Sequence, residues 1–135
     1  MPSLNPTAEQ LQQFAERMPA GTPILMLNLL RFRDQADYAD DPTQTPCSGR
    51  EAYARYSRTA LTKVRGVGGS VQLMAAAHVA LIAPQEEAWD EMLLVRYPSP
   101  EAFLTMLADP EYRAATPHRT AALADSRLIG CTERS

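Results

Sequence analysis

The run Ile24-Leu25-Met26-Leu27-Asn28-Leu29-Leu30-Arg31-Phe32 starts directly after Pro23 and ends in a polar stretch rich in Asp, Thr and Pro. Its length, the proline before it and the lack of any polar face at a 3.6-residue period identify it as a strand, not a helix. Side chains alternate across a strand, so Ile24, Met26, Leu30 and Phe32 share one face while Leu25, Leu27 and Leu29 share the other. Both faces are apolar, and each has to be covered. A lone amphipathic layer cannot satisfy this chain.

The neighbouring elements follow from their punctuation. Thr7-Ala8-Glu9-Gln10 reads as a capping box that opens a helix with Leu11, Phe14, Ala15 and Met18 as its stripe. Residues 1–23 therefore form an N-terminal helix and its lead-in, and residues 34–49 a long surface loop suited to act as a lid. Ser48 or Gly49 caps a second helix bearing Tyr53, Tyr56, Ala60 and Val64, which Gly66, Gly68 and Gly69 terminate. These glycines follow a helix, whereas a phosphate-binding fingerprint follows a strand and opens a helix. Val71 to Ala83 reads as the second strand, Pro84 to Ala88 as a turn and Trp89 to Tyr97 as the third strand. Ser99-Pro100-Glu101 opens a helix, and Asp109-Pro110-Glu111 and Thr116-Pro117 predict two short helical segments before a last strand, Arg127 to Thr132.

After the first helix the order is β, α, β, β, α, β, the ferredoxin-like pattern of an α+β fold with a four-stranded antiparallel sheet. Its helices cover one sheet face and leave the other open. The third strand repeats the problem of the first, with Leu93, Val95 and Tyr97 on one side and Met92 and Leu94 on the other. The simplest closure is a homodimer in which one open face covers its own copy about a two-fold axis.

A chain of 135 residues suits one domain, and 45% hydrophobic with 21% charged residues is a globular composition. No stretch reaches the roughly 20 apolar residues of a membrane span. Met1 to Gln10 lacks the features of a secretory signal, so the expected location is the cytoplasm. A net charge of −3 argues against nucleic acid. Arg55, Arg58, Lys63 and Arg65 read as a solvated helix face, with no aromatic platform among them. Cys47 and Cys131 read as free thiols, and neither they nor the unclustered histidines form a metal set. No metal and no cofactor is expected.

Several strings then resemble a known family. Met26-Leu27-Asn28-Leu29-Leu30-Arg31-Phe32-Arg33 and Ser48-Gly49-Arg50-Glu51-Ala52-Tyr53 with Tyr56 resemble the first half of proteins in domain of unknown function family 1330. Arg96-Tyr97-Pro98-Ser99, Ala102-Phe103, Asp109-Pro110-Glu111-Tyr112, His118-Arg119 and Asp125-Ser126-Arg127-Leu128-Ile129 resemble the second half. The resemblance covers most of the chain from Ile24 onward. It implies a dimeric α+β barrel and supplies no reaction, because related barrels include cofactor-free monooxygenases, lactone isomerases and haem enzymes.

Candidate site residues are those whose chemistry departs from their surroundings. Asn28 interrupts an apolar strand, and an unpaired buried amide costs about 1–3 kcal/mol, so it needs either a loop or helix-end partner or a ligand. His78 sits in a run of small residues and, if Pro84 opposes Trp89, shares a face with Trp89 and Tyr97. It is the candidate acid or base, with Tyr56 as a second catalytic candidate. Tyr53 and Tyr56, one helical turn apart, would orient a substrate, and Arg31 or Arg96 would stabilise negative charge. His118 and Arg119 follow Thr116-Pro117; His118 and Trp89 are further substrate-binding candidates, and Arg119 either clamps Glu111 or Asp125 or binds ligand. The functional expectation is a small-molecule protein, either a cofactor-free isomerase or monooxygenase-like enzyme or a non-catalytic binding or assembly module.

Overall fold

The computed structural model describes residues 2–39 and 41–134. Helix α1 (Ala8–Arg17) opens with the expected capping box, Thr7 accepting from the Gln10 amide and the Gln10 side chain accepting from the Thr7 amide. Strand β1 (Ile24–Phe32) leads through a long loop to α2 (Gly49–Gly66), which Ser48 and Glu51 cap in the same reciprocal way. Then come β2 (Ser70–Ala76), β3 (Glu91–Tyr97), α3 (Pro100–Ala108), α4 (Pro110–Ala122) and β4 (Leu123–Cys131). The strands pair antiparallel in the order β2-β3-β1-β4, which is the ferredoxin-like topology.

β1 is an inner strand, and its burial alternates as its sequence requires. Ile24, Met26, Asn28 and Leu30 are buried beneath the helices, whereas Leu25, Leu27 and Leu29 are half-buried on the opposite, open face. On β3, Val95 and Tyr97 join the helix-side core, while Met92, Leu94 and Arg96 lie across from Leu29, Leu27 and Leu25. Helix α1 packs over the far end of β4. A side chain at Gly130 would meet Met18 Sδ at 3.1 Å and Phe14 Cε2 at 3.2 Å, so glycine lets the helix approach the sheet there.

Several boundaries differ from the sequence expectation. β2 ends at Ala76 instead of Ala83, and β3 begins at Glu91 instead of Trp89, leaving residues 77–90 as an arm. Asp90 enforces this. Its N–H donates to Leu30 O and its carboxylate accepts from the Phe32 N–H, which draws the base of the arm toward β1. The two short segments expected after Asp109 are one helix, α4, with Pro117 inside it. Proline cannot donate to the carbonyl four residues earlier, Arg113 O, but the Thr116 hydroxyl donates to that carbonyl at 2.7 Å. Finally, β4 starts at Leu123 and not at Arg127, because a bulge at Arg31/Phe32 lets Leu123 pair with Phe32 directly after the helix.

The 34–49 loop is held in place. Arg33 N–H donates to Ala122 O, Asp37 N–H to Ala121 O and Ala36 N–H to Cys47 O, all at 2.8–2.9 Å. A small second core of Leu30, Cys47, Ala52, Ala122 and Leu123 lies under it.

Candidate functional site

Between the helix-covered sheet face and the helices lies a cavity of about 440 Å³, within the range of small-molecule sites. Its apolar wall comes from β1 and β3 (Met26, Leu93, Val95), from α1 (Phe14) and from α3 (Phe103, Met106). Its polar lining includes Asn28, Tyr53, Tyr56, Tyr112, Arg119 and Ser126, and Arg127, whose guanidinium is paired with Asp125 and Glu87, also borders it. No His, Asp, Glu, Lys or Cys lines it among the described residues.

The aromatic groups form a continuous chain. Ring centroids are 5.5 Å apart for Phe32 and Tyr53, 5.4 Å for Tyr53 and Tyr56, and 5.9 Å for Tyr56 and Tyr112. The Tyr56 and Tyr112 hydroxyls share one hydrogen bond of 2.7 Å. Two hydroxyls have two hydrogens and this bond uses one, so the accepting tyrosine keeps an O–H to donate. Burial pushes Tyr56 well above the ordinary tyrosine range, reinforced by the nearby Tyr112. Burial pushes Tyr53 up to about 12, with Arg119 pulling the other way. Both phenols therefore stay protonated near neutral pH and act as donors. Tyr56, a catalytic candidate from sequence, lines the cavity as a buried phenol bonded to Tyr112.

Arg119 projects from α4, and its Nη1 donates to Leu4 O at 2.6 Å. Neither Glu111 nor Asp125 pairs with it, because Glu111 binds Lys63 and Asp125 binds Arg127. The expected clamp is thus replaced by a contact with the N-terminal segment. That segment, Ser3 to Pro6, lines the cavity and is tied down by Ser126 Oγ donating to Ser3 O at 2.5 Å and by Ser3 N–H donating to Asp125 at 2.9 Å. It borders the cavity, whereas none of the described residues of the 34–49 loop, the expected lid, does.

Asn28 is fixed by its own sheet, not by a loop or helix end. Its Nδ2 donates to Met26 O and Leu93 O, each at 3.3 Å. Both neighbours are carbonyls, so the nitrogen must face them. The carboxamide oxygen accepts no hydrogen bond among the described residues and is left to the cavity.

The structure thus brings Asn28, Tyr53, Tyr56 and Arg119 to one cavity, and Tyr112 and Ser126 join them. Five other candidates lie elsewhere. His78 is exposed in the arm beyond β2, because β2 stops two residues short of it and Val71, not His78, pairs with Val95. Trp89 lies at the base of the arm beneath the Arg127 guanidinium, 5.0 Å from its ring centroid. Arg31 and Arg96 belong to the open sheet face, since Arg96 pairs with Leu25 and Arg31 with Asp125. His118 Nδ1 and the Tyr38 hydroxyl share a hydrogen bond of 2.7 Å, and Tyr38 accepts from Arg55 at 3.2 Å. Burial and the Arg55 charge lower the His118 pKa. Tyr112 carries no local signal that would join it to Tyr56, 56 positions earlier, apart from its place in a string quoted for the family resemblance.

Comparison with known structures extends this picture. A protein of unknown function from Rhodopseudomonas palustris, RPA0582, is 40% identical over 100% of this chain and 99% of its own, with a TM-score of 0.90. SnoaB, a cofactor-independent oxygenase from Streptomyces nogalater, is 14% identical over 84% of this chain and 95% of its own, with a TM-score of 0.53. An uncharacterised NIPSNAP domain protein from Burkholderia xenovorans is 9% identical over 83% and 95%, with a TM-score of 0.52. At such identities the last two share the fold alone. No curated protein matches the chain. The model of a domain of unknown function, DUF1330, matches residues 43–130, which include α2, the whole of β2 and β3, and the Tyr112 and Arg119 helix, and the chain belongs to that family.

Proposed function

We propose that this protein holds a small, largely apolar organic anion in the cavity between sheet and helices. The observation that carries the reading is Arg119, a guanidinium lining an apolar cavity with no carboxylate partner among the described residues. A charge in such surroundings is costly unless something compensates it, and a carboxylate, phenolate or enolate does so with good geometry. The Tyr53 hydroxyl lies close enough to feel that charge and remains a donor, so the two form an anion-binding end. Asn28 offers an acceptor and the Tyr56–Tyr112 pair a further donor, while the apolar wall takes the body of the ligand.

The chemistry available to these groups is stabilisation of an oxyanion, not removal of a proton. With no imidazole or carboxylate lining the cavity among the described residues, His78 drops out as its acid or base. An enzyme built on this site would act on a ligand acidic enough to bind as an anion. Cofactor-free oxygenation of such an anion fits this better than isomerisation, which needs a proton shuttle. A related fold is that of a cofactor-independent oxygenase, though at 14% identity the likeness is one of fold. The non-catalytic alternative uses the same groups to bind and release the ligand unchanged.

The wider setting belongs to the same reading. The open sheet face, with Leu25, Leu27, Leu29, Leu94 and Ile129, supports a homodimer formed by two such faces. Among the described residues no helix is long and apolar enough to cross a membrane. The free thiols of Cys47 and Cys131 suit a reducing compartment, the cytoplasm.

The test is calorimetric titration of aromatic carboxylates and phenolates, each beside a neutral amide or ether of the same shape, into wild-type protein and Arg119→Met. The anions should bind the wild type and lose about 10–100-fold in the variant, the worth of one charge-assisted hydrogen bond. The neutral analogues should change little. Equal binding of anions and neutral analogues to the wild type refutes the reading.

A further inference from the structure

The arm between β2 and β3 carries side chains that its own protomer leaves uncovered. Val79 is 82% exposed, Leu81 90% and Ile82 95%, far beyond the half-exposure of Ile129 on the sheet. Isolated surface hydrophobics need no explanation, but three within four residues on a projecting loop form a patch. We infer that this arm, residues 77–90, docks against the open sheet face of a second copy, so that each protomer of a pair covers the other. The inference rests on the homodimer proposed above and names the segment that completes it.

Three observations select a second copy as the occupant. The first is continuity. Arg127 pairs in the ladder with Leu29 on the open face, and it holds Glu87 at 3.0 Å and lies over Trp89, so the root of the arm is bound to the open side of the sheet. A copy approaching that face meets the arm. The second is charge. The open face carries Arg96 and Arg31, neither in ion-pair contact with a carboxylate among the described residues, and the exposed arm residue Glu86 has no cation in contact. The face offers leucines with unpaired cations; the arm offers aliphatic groups with an unpaired anion. The third is area. At about 100 Å² for each large aliphatic side chain, two arms add roughly 600 Å² to the two sheet faces, helping them reach the ~1,200–2,000 Å² of stable interfaces.

Sedimentation velocity across a concentration series tests this with three proteins: wild type, Ile82→Asp in the arm and Ile129→Asp on the sheet face. Both positions are exposed in the protomer, so unchanged circular dichroism is expected of each. The expected result is a wild-type dimer whose dissociation constant rises at least about 100-fold in both variants. A dimer broken by Ile129→Asp but unchanged by Ile82→Asp overturns the arm inference and leaves the sheet-face dimer standing. Weakening by Ile82→Asp alone also overturns it, since the arm would then dock away from the face. A monomeric wild type removes both.

Discussion

Replacing Asn28 by leucine separates a ligand-binding amide from a structural one. Asn28 is buried on an inner strand, and its two hydrogen bonds run to Met26 O and Leu93 O at 3.3 Å. Those carbonyls belong to β1 and β3, the two inner strands of the sheet, where main-chain partners lie on both sides. The asparagine bonds are thus long, second bonds to acceptors that the ladder serves, and their loss orphans neither carbonyl. Two such bonds contribute about 0.5 kcal/mol each. Leucine at the same position faces the cavity, which has room for it, and burying its side chain contributes about 2 kcal/mol. The net expectation is a gain of about 1 kcal/mol, or roughly 3–5 °C in Tm for a chain of this size. Urea and thermal unfolding at one fixed protein concentration measure it, the fixed concentration being needed for any self-associating chain. The same variant should bind the anions of the titration panel at least about 10-fold more weakly, having lost its acceptor and part of the cavity. A destabilisation of 1 kcal/mol or more refutes the reasoning, because the amide would then be holding the sheet together.

Tyr53 gives a pH signature. Its pKa is about 12 in the folded protein against about 10 unfolded, so its contribution is fully present below pH 10 and is lost as pH rises toward 12. That amounts to about 2–3 kcal/mol, and Tyr53→Phe should show a correspondingly shallower fall in urea-unfolding stability between pH 10 and 12; identical slopes count against a buried phenol. Gly49 is a packing test, since a Cβ there would lie 2.2 Å from Arg33 O and 2.6 Å from Ala122 O, both main-chain atoms that cannot swing aside. Gly49→Ala should cost roughly 3 kcal/mol or more, whereas Gly66→Ala, with nothing within 4 Å, should be neutral or slightly stabilising.

The fold was legible where local chemistry and long-range pairing agree. The capping boxes at Thr7 and Ser48 mark their helix starts because the reciprocal bonds are made within four residues. The alternation in β1 marks two apolar faces because the period is a property of the strand alone. The errors fall where a distant partner decides. The apolar run after Ala76 reads as strand, but a strand needs a ladder, and the rungs to β2 stop after the Ala77 N–H meets Asp90 O, where the Asp90 N–H and carboxylate bind β1. Pro117 reads as a helix start, yet the Thr116 hydroxyl replaces the missing donor, a substitution visible only once the backbone is in place.

The same division explains the site. Asn28 was recognisable because a polar residue in an apolar strand is anomalous at the level of the string. Tyr53 and Tyr56 were recognisable because helical spacing puts them on one face. His78 joins the sheet only in a register with a short hairpin turn, and because residues 77–90 form an arm the histidine lies outside the sheet. Arg31 and Arg96 drew notice for being cations among leucines, and that anomaly is real, but it belongs to the open face and not to the cavity. Arg119 lines the cavity without the carboxylate partners that Arg127 has, and differs from Arg31 and Arg96 in its surroundings: helices and the Ser3–Pro6 segment enclose its side of the sheet, so a charge there has less access to water and more need of an anion. Two sets of arginines, alike in sequence, thus divide between the two sheet faces. On the readings proposed above, Arg119 would meet a small anion, and Arg31 with Arg96 the acidic, aliphatic arm of another copy.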